Sequence, residues 1–191
     1  MTAEDKWTKS ICSLLKDVDF GENIYIDVLQ KIPYALEVSH FDENWEIESN
    51  GCKTNSFQTD LVIYEKSNGK IKPRVIIESK YEKVTTHDAI TYSNKAIYHK
   101  NVVPYVRYGI MLGNREHYPL PGRLFRHGTH FDFLFSFIGD IPTEKEKYYF
   151  VEMIRKEIEY SKKFEEIISN SRSKGRRHYF MCQKEFNLEE M

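Results

Sequence analysis

Three charged side chains lie in or beside two apolar runs between Thr59 and Lys80, in the stretch TDLVIYEKSNGKIKPRVIIESK. Asp60 opens the first run. Glu78 and Lys80 end the second run, two residues apart and therefore on one face of a strand. Two carboxylates at close range repel each other unless a cation lies between them, and Mg²⁺ accepts such oxygen ligands together with phosphate. A lysine beside the ion could orient or deprotonate a water, or neutralise charge on a phosphate. The pattern therefore predicts metal-assisted attack on a phosphodiester.

The pairing of the two runs decides whether the carboxylates meet. Asn68-Gly69 between the runs favours a type I′ hairpin turn, because both residues tolerate positive φ angles. A regular hairpin closed at that turn pairs Asp60 with Ile77. A one-residue bulge near Lys72-Pro73 pairs Asp60 with Glu78 instead, with about 5 Å between the side-chain roots. The predicted site therefore requires the bulged register.

The elements around this hairpin predict an α/β fold, a mixed sheet with helices on both faces. Apolar spacing and caps predict helices over residues 2–18, 22–32, 85–100 and about 143–171. Alternating patterns predict strands over residues 35–40, 57–64, 74–80, 105–112 and 131–138, with a turn at 49–56 and a long loop at 114–130. We expect one domain over residues 1–171 and a basic C-terminal tail over 172–191.

Bulk composition is that of an ordinary globular protein, with 40% hydrophobic and 30% charged residues in 191. No apolar run is long enough for a membrane span, and the N-terminus lacks the apolar core of a secretory signal. The three separated cysteines, Cys12, Cys52 and Cys182, favour a reducing cytoplasm over a disulfide framework. A net charge of −1 excludes a uniformly basic nucleic-acid binder, but it allows a basic patch balanced by acids elsewhere.

Asp60, then seventeen residues, then Glu78-Ser79-Lys80 resembles the D-x(n)-E-x-K signature of the PD-(D/E)XK nuclease superfamily. Both halves are flanked by hydrophobic residues, and Thr59 replaces the leading proline. Over roughly residues 1–140, the resemblance implies a restriction-endonuclease-like mixed sheet with a Mg²⁺-dependent phosphodiesterase centre, with Mn²⁺ as a substitute. It implies that Asp60 and Glu78 are metal ligands, that Ser79 contributes its carbonyl, and that Lys80 is the catalytic lysine.

Many members of that superfamily add an acid from the helix before the hairpin. Glu22, Asp27 and Glu37 are the candidates here, and the sequence does not choose among them.

The long loop at 114–130 carries arginines interleaved with aromatic residues, a composition suited to phosphate clamping and base reading. We expect nucleic-acid contacts from this loop and from the helix after the hairpin, with ordinary loop packing as the alternative. The candidate residues are Arg115, Arg123, Arg126, His127 and Lys95. His127 and His130 have the spacing of metal ligands, but no second ligand pair accompanies them, which disfavours zinc.

The resemblance ranks a type II restriction endonuclease first and a repair or structure-specific nuclease second. A catalytically inactive nucleic-acid-binding module is the alternative from another class. The expected partner is DNA, although the residues do not separate DNA from RNA. A homodimer would suit the cutting of two strands.

Overall fold

The computed structural model describes residues 1–175 and Met181. In chain order the elements are helix α1 (Ala3–Lys16), strands β1 (Ile24–Val28), β2 (Lys31–Val38), β3 (Cys52–Gln58), β4 (Leu61–Ser67) and β5 (Lys70–Tyr81), helix α2 (Thr86–Val102), strand β6 (Arg107–Gly113), helix α3 (Gly122–His127), strand β7 (Phe133–Ser136) and helix α4 (Glu144–Asn170).

Five strands form one mixed sheet in the order β1-β4-β5-β6-β7. The β1, β4 and β5 strands are antiparallel neighbours, whereas β5, β6 and β7 run parallel. Strands β2 and β3 form a separate two-stranded antiparallel sheet. Strand β5 therefore lies at the centre, paired on both sides, which explains how its apolar run is buried on both faces.

The sheet separates two apolar cores. One core joins α1 and α4 to Leu61 and Ile63 of β4, and the other joins α2 and α3 to Val62. Tyr64 packs against the second core. The side chains of β4 therefore alternate between the two faces of the sheet. The expected α/β sheet with helices on both faces is confirmed.

Capping boxes begin three of the helices where the sequence predicts them. In each box the threonine hydroxyl accepts a hydrogen bond from the backbone N–H three residues later. The carboxylate at that later position accepts one from the threonine's backbone N–H. The pairs are Thr2 and Asp5 for α1, Thr85 and Asp88 for α2, and Thr143 and Glu146 for α4.

The hairpin has the bulged register. Asn68 and Gly69 take φ angles of 51° and 73°, as a type I′ turn requires. Tyr64 pairs with Pro73 but Ile63 pairs with Val75, so Arg74 is the extra residue.

The Arg74 side chain lies 2.7 Å from Glu65 and 2.7 Å from Glu165 of α4, and these contacts fix the bulge against that helix. Beyond the bulge Leu61 pairs with Ile77, and this register places the preceding Asp60 across from Glu78.

Four local predictions are wrong. The expected strand over residues 57–64 is divided between β3, in the two-stranded sheet, and β4, in the five-stranded sheet. Residues 22–32 form β1 and the start of β2 rather than a helix, because Ile24 to Val28 pair with β4. Residues 49–56 are not all turn, since β3 begins at Cys52 and satisfies its backbone groups by pairing with β2. The loop at 114–130 contains the short helix α3.

The described part of α4 has its apolar side on the sheet at Phe150, Ile154 and Ile158, while Ile168 is exposed. Most of the predicted basic tail, residues 176–180 and 182–191, lies outside the described residues. Along the described chain, no helix combines the length and apolar character needed to cross a membrane.

Candidate functional site

Asp60 and Glu78 lie beside each other where β4 begins, next to the central strand β5. Asp60 immediately precedes β4, and its Oδ2 accepts the Ser79 N–H at 2.8 Å. Glu78 is 1% exposed, and its Oε1 accepts from the Tyr108 hydroxyl. Lys95 Nζ lies 3.5 Å from the same oxygen. The two carboxylates thus lie side by side, and each accepts a hydrogen bond from a neighbouring donor.

The surroundings of the buried Glu78 carboxyl favour its neutral form. Burial and, after it, the neighbouring Asp60 charge together raise the pKa of Glu78 to about 7. Lys95 and Tyr108 act in the opposite direction without restoring the ordinary value. A pair of adjacent carboxylates with this electrostatic penalty is suited to a cation, whose charge would relieve the repulsion.

The donor set fits Mg²⁺. No cluster of three or more histidine, cysteine, aspartate and glutamate side chains in the described chain is arranged to hold a metal. Mg²⁺ does not need one, because it keeps several waters and takes one or two carboxylates. The Ser79 N–H points at Asp60, and in a strand the N–H and C=O of one residue point to the same edge. The Ser79 carbonyl is therefore available beside the two carboxylates.

Lys80 lies on the same face as Glu78, as its spacing predicts, and forms ion pairs. Its Nζ is 3.3 Å from Glu4 and 4.0 Å from Asp88, and 5.3 Å above the Tyr92 ring. Burial alone would lower the pKa of Lys80, but the Tyr92 hydroxyl, Glu4 and Asp88 outweigh it and raise that pKa. Lys80 is therefore an ammonium cation on the face of β5 that carries Glu78.

Helix α1 is positioned by close packing at the same end of the sheet. Gly113 at the end of β6 makes room for the indole of Trp7, since a Cβ at 113 would lie 2.4 Å from its ring. Thr8 donates to the buried Ser79 hydroxyl at 2.7 Å. These contacts place Glu4, in the first turn of α1, against Lys80 and 3.3 Å from the Tyr81 N–H.

Glu4 is thus the helical acid that the structure brings to the site, and sequence reasoning missed it. Of the three expected candidates, Asp27 instead pairs with Lys16 at 3.2 Å and accepts from Tyr64. Glu22 and Glu37 are exposed, and the segment that holds Glu22 and Asp27 is not a helix. The only usable signal was the position of Glu4 in the first turn of the helix that actually precedes the sheet.

Lys95 on α2 points into the site. Besides its contact with Glu78, its Nζ lies 4.8 Å from the centre of the Tyr92 ring and 5.4 Å from that of Phe57. Two aromatic faces and a carboxylate therefore hold this ammonium next to the carboxylate pair.

The arginines of the 114–130 segment divide into two groups. Arg115 is 8% exposed and donates to the main-chain carbonyls of Glu82 and Pro119, so it holds the segment in place. Arg123 is exposed and uses one nitrogen to reach the Val84 carbonyl at 2.9 Å, which anchors α3 beside the start of α2. The α3 side chains of Arg126 and His127 are exposed.

Comparison with known proteins shows the fold. No family model matches the chain, and none of the curated proteins matches it. Among solved structures, the chain is similar to the restriction endonuclease BsaWI in a crystal structure described as a pre-specific complex with DNA. The TM-score is 0.52 at 15% sequence identity, over 92% of this chain and 69% of the other. The chain therefore has a restriction-endonuclease-like fold.

Proposed function

We propose that this protein is a Mg²⁺-dependent DNA endonuclease of the PD-(D/E)XK type, and that it acts as a type II restriction endonuclease. The observation that carries the proposal is the bulge at Arg74, which sets Asp60 across from the buried Glu78. Lys80 follows on the same face. This register supports the proposal, because a chance match to the D-x(n)-E-x-K pattern would not require Asp60 to face Glu78.

The fold supports the same choice. The similar structure is a restriction endonuclease bound to DNA, which makes DNA the first substrate to test. At 15% identity the likeness carries the fold only, so the proposed chemistry rests on the residues of this chain.

The proposed mechanism assigns one task to each residue. Asp60, Glu78 and the Ser79 carbonyl would hold Mg²⁺, with Mn²⁺ as a substitute. When bound there, the ion supplies a Lewis acid for the phosphate and makes water easier to deprotonate. The Ser79 N–H fixes the Asp60 carboxylate in its orientation. Lys80, whose pKa is raised by the Tyr92 hydroxyl and then by Glu4, would neutralise negative charge that develops on the phosphate oxygens.

Glu4 has a second proposed task, because it lies in the first turn of α1 against the end of β5 that carries Lys80. With its carboxylate 3.3 Å from Lys80 Nζ, it fixes the direction in which the ammonium points. It also accepts from the Tyr81 N–H, which ties α1 to the chain just after the site.

The proposed DNA surface lies on α2 and α3. Exposed Arg126 and His127 would contact phosphates, and Arg123 would do so with the part of its guanidinium that is not bound to Val84. Lys95 would contribute from inside the site. We leave Arg115 out of this surface, because its guanidinium is committed to two main-chain carbonyls.

The experiment is cleavage of long unmethylated duplex DNAs in MgCl₂ and in EDTA, with wild type and Lys80→Ala. Cleavage by wild type in Mg²⁺ alone, lost in Lys80→Ala, is the expected result. Lys70→Ala is the matched control, since Lys70 is an exposed lysine at the other end of β5. The absence of Mg²⁺-dependent cleavage of any DNA or RNA would contradict the proposal and favour a catalytically inactive binding module.

A further inference from the structure

Tyr108 lies behind the carboxylate pair on β6 and is fully buried. Its hydroxyl donates to Glu78 Oε1. Its ring stacks with two others, that of His99 at 5.5 Å between centroids and 24°, and that of Phe131 at 6.4 Å and 15°. His99 is fixed in turn, because its Nδ1 donates to the Pro33 carbonyl at 3.1 Å. The phenol is therefore held by two stacked rings in a fully buried position, and its hydroxyl is directed at one oxygen.

Lys95 reaches the same oxygen, with Nζ 3.5 Å from Glu78 Oε1. A carboxylate has about four lone-pair sites on its two oxygens, so two donors occupy those of Oε1. Oε2 is then the oxygen that can accept a cation without displacing Tyr108 or Lys95.

We propose that Tyr108 is a positioning residue that restricts Glu78 to ligation through one oxygen, and that it thereby favours Mg²⁺ over Ca²⁺ at the site. The inference rests on the proposed function, since it takes Asp60 and Glu78 as metal ligands. Mg²⁺ demands near-ideal octahedral geometry, whereas Ca²⁺ accepts more oxygens and often both from one carboxylate. A carboxylate locked by a buried phenol suits the first ion, and a carboxylate free to rotate would suit the second.

The test measures metal binding by the whole chain without DNA. The electron paramagnetic resonance signal of free Mn²⁺ reports binding, and displacement by Mg²⁺ or Ca²⁺ gives the two affinities. Tyr108→Phe keeps the ring stack and removes only the donor. We expect its Mg²⁺ affinity to fall about tenfold, as for other residues that orient metal ligands, with a smaller change for Ca²⁺. The ratio of the two affinities therefore falls.

Tyr64→Phe is the matched control, because Tyr64 donates to the Asp27 carboxylate at 2.7 Å in a part of the sheet away from the site. Both affinities should stay at the wild-type level in this variant. An unchanged affinity ratio in Tyr108→Phe would overturn the inference, whether both affinities stay at the wild-type level or both fall by the same factor.

Two further variants keep the outcome unambiguous. If Tyr108→Phe does not fold, His99→Gln removes one stacked ring but keeps a donor for Pro33. A smaller fall in the Mg²⁺ to Ca²⁺ ratio supports the inference, and no fall contradicts it. Asp60→Asn tests the site itself. If Mn²⁺ binds to this variant as to wild type, the ion is held elsewhere and the proposed metal site fails, whereas loss of binding here with an unchanged Tyr108→Phe ratio refutes only the role of Tyr108.

Discussion

Glu78 is expected to cost the metal-free protein stability at neutral pH, and Glu78→Gln should recover that cost. Burial, with the Asp60 charge added, raises the pKa of Glu78 from 4.5 to about 7. Between these values the folded protein keeps a proton that the unfolded chain has released. The contribution of Glu78 is thus fully present below about pH 4.5, and it is lost as the pH rises through about 7. At ~1.4 kcal/mol per pKa unit, the loss approaches about 3 kcal/mol.

The assay is urea unfolding of wild type and Glu78→Gln in EDTA at about pH 5 and about pH 8, on either side of the raised pKa of Glu78. Glutamine keeps the shape and stays neutral, so the variant should exceed wild type by up to about 3 kcal/mol at the higher pH, with little difference at the lower one. Glu37→Gln makes the same change of charge on an exposed strand and controls for net charge. A gap that is equal at the two pH values, or larger at the lower one, would refute the reasoning.

Four other predictions test the surroundings of the site. Glu4→Gln should lower Mg²⁺-dependent cleavage by about 10- to 100-fold, as for residues that orient catalytic groups, and wild-type rates would contradict its assignment. Gly113→Ala places a methyl group 2.4 Å from the Trp7 ring, so it should destabilise the fold by about 1–3 kcal/mol in urea unfolding and slow cleavage. Arg126→Ala should weaken DNA binding at low salt and reduce the salt slope by about 1 in filter-binding assays, with an unchanged melting temperature. Arg115→Ala should instead lower the melting temperature, because it leaves two main-chain carbonyls without their donor.

Local chemistry made most helices predictable from the sequence. The helices that begin at Thr2, Thr85 and Thr143 carry capping boxes, which act within four residues and do not depend on the rest of the fold. The hairpin turn at Asn68-Gly69 was predictable for the same reason. Its register was not, because the bulge depends on how Arg74 reaches acids on β4 and α4.

The errors arose where distant pairing overrides local pattern. Ile24, Val28 and Ile32 have helical spacing, but Ile24, Ile26 and Val28 also alternate, and pairing with β4 selects the strand. The polar stretch that becomes β3 reads as a turn until its pairing with β2 is known.

The missing site residue has the same cause. Glu4 is more than seventy residues from Lys80 in sequence, and the two meet only because Trp7 packs onto Gly113 and brings the first turn of α1 to the end of β5. Once residues 22–32 were assigned to a helix, the acids of that segment became the natural candidates. The carboxylate pair and its lysine were accessible from the sequence because they lie within one hairpin.

The central claim is that Asp60 and Glu78 together hold one divalent cation beside Lys80. Anomalous diffraction from crystals grown with Mn²⁺ tests this claim most directly. We predict one strong peak within coordination distance of a carboxylate oxygen from each acid, and its loss in Asp60→Asn. Crystals with Mn²⁺ bound only at other positions, and none between Asp60 and Glu78, would contradict the account.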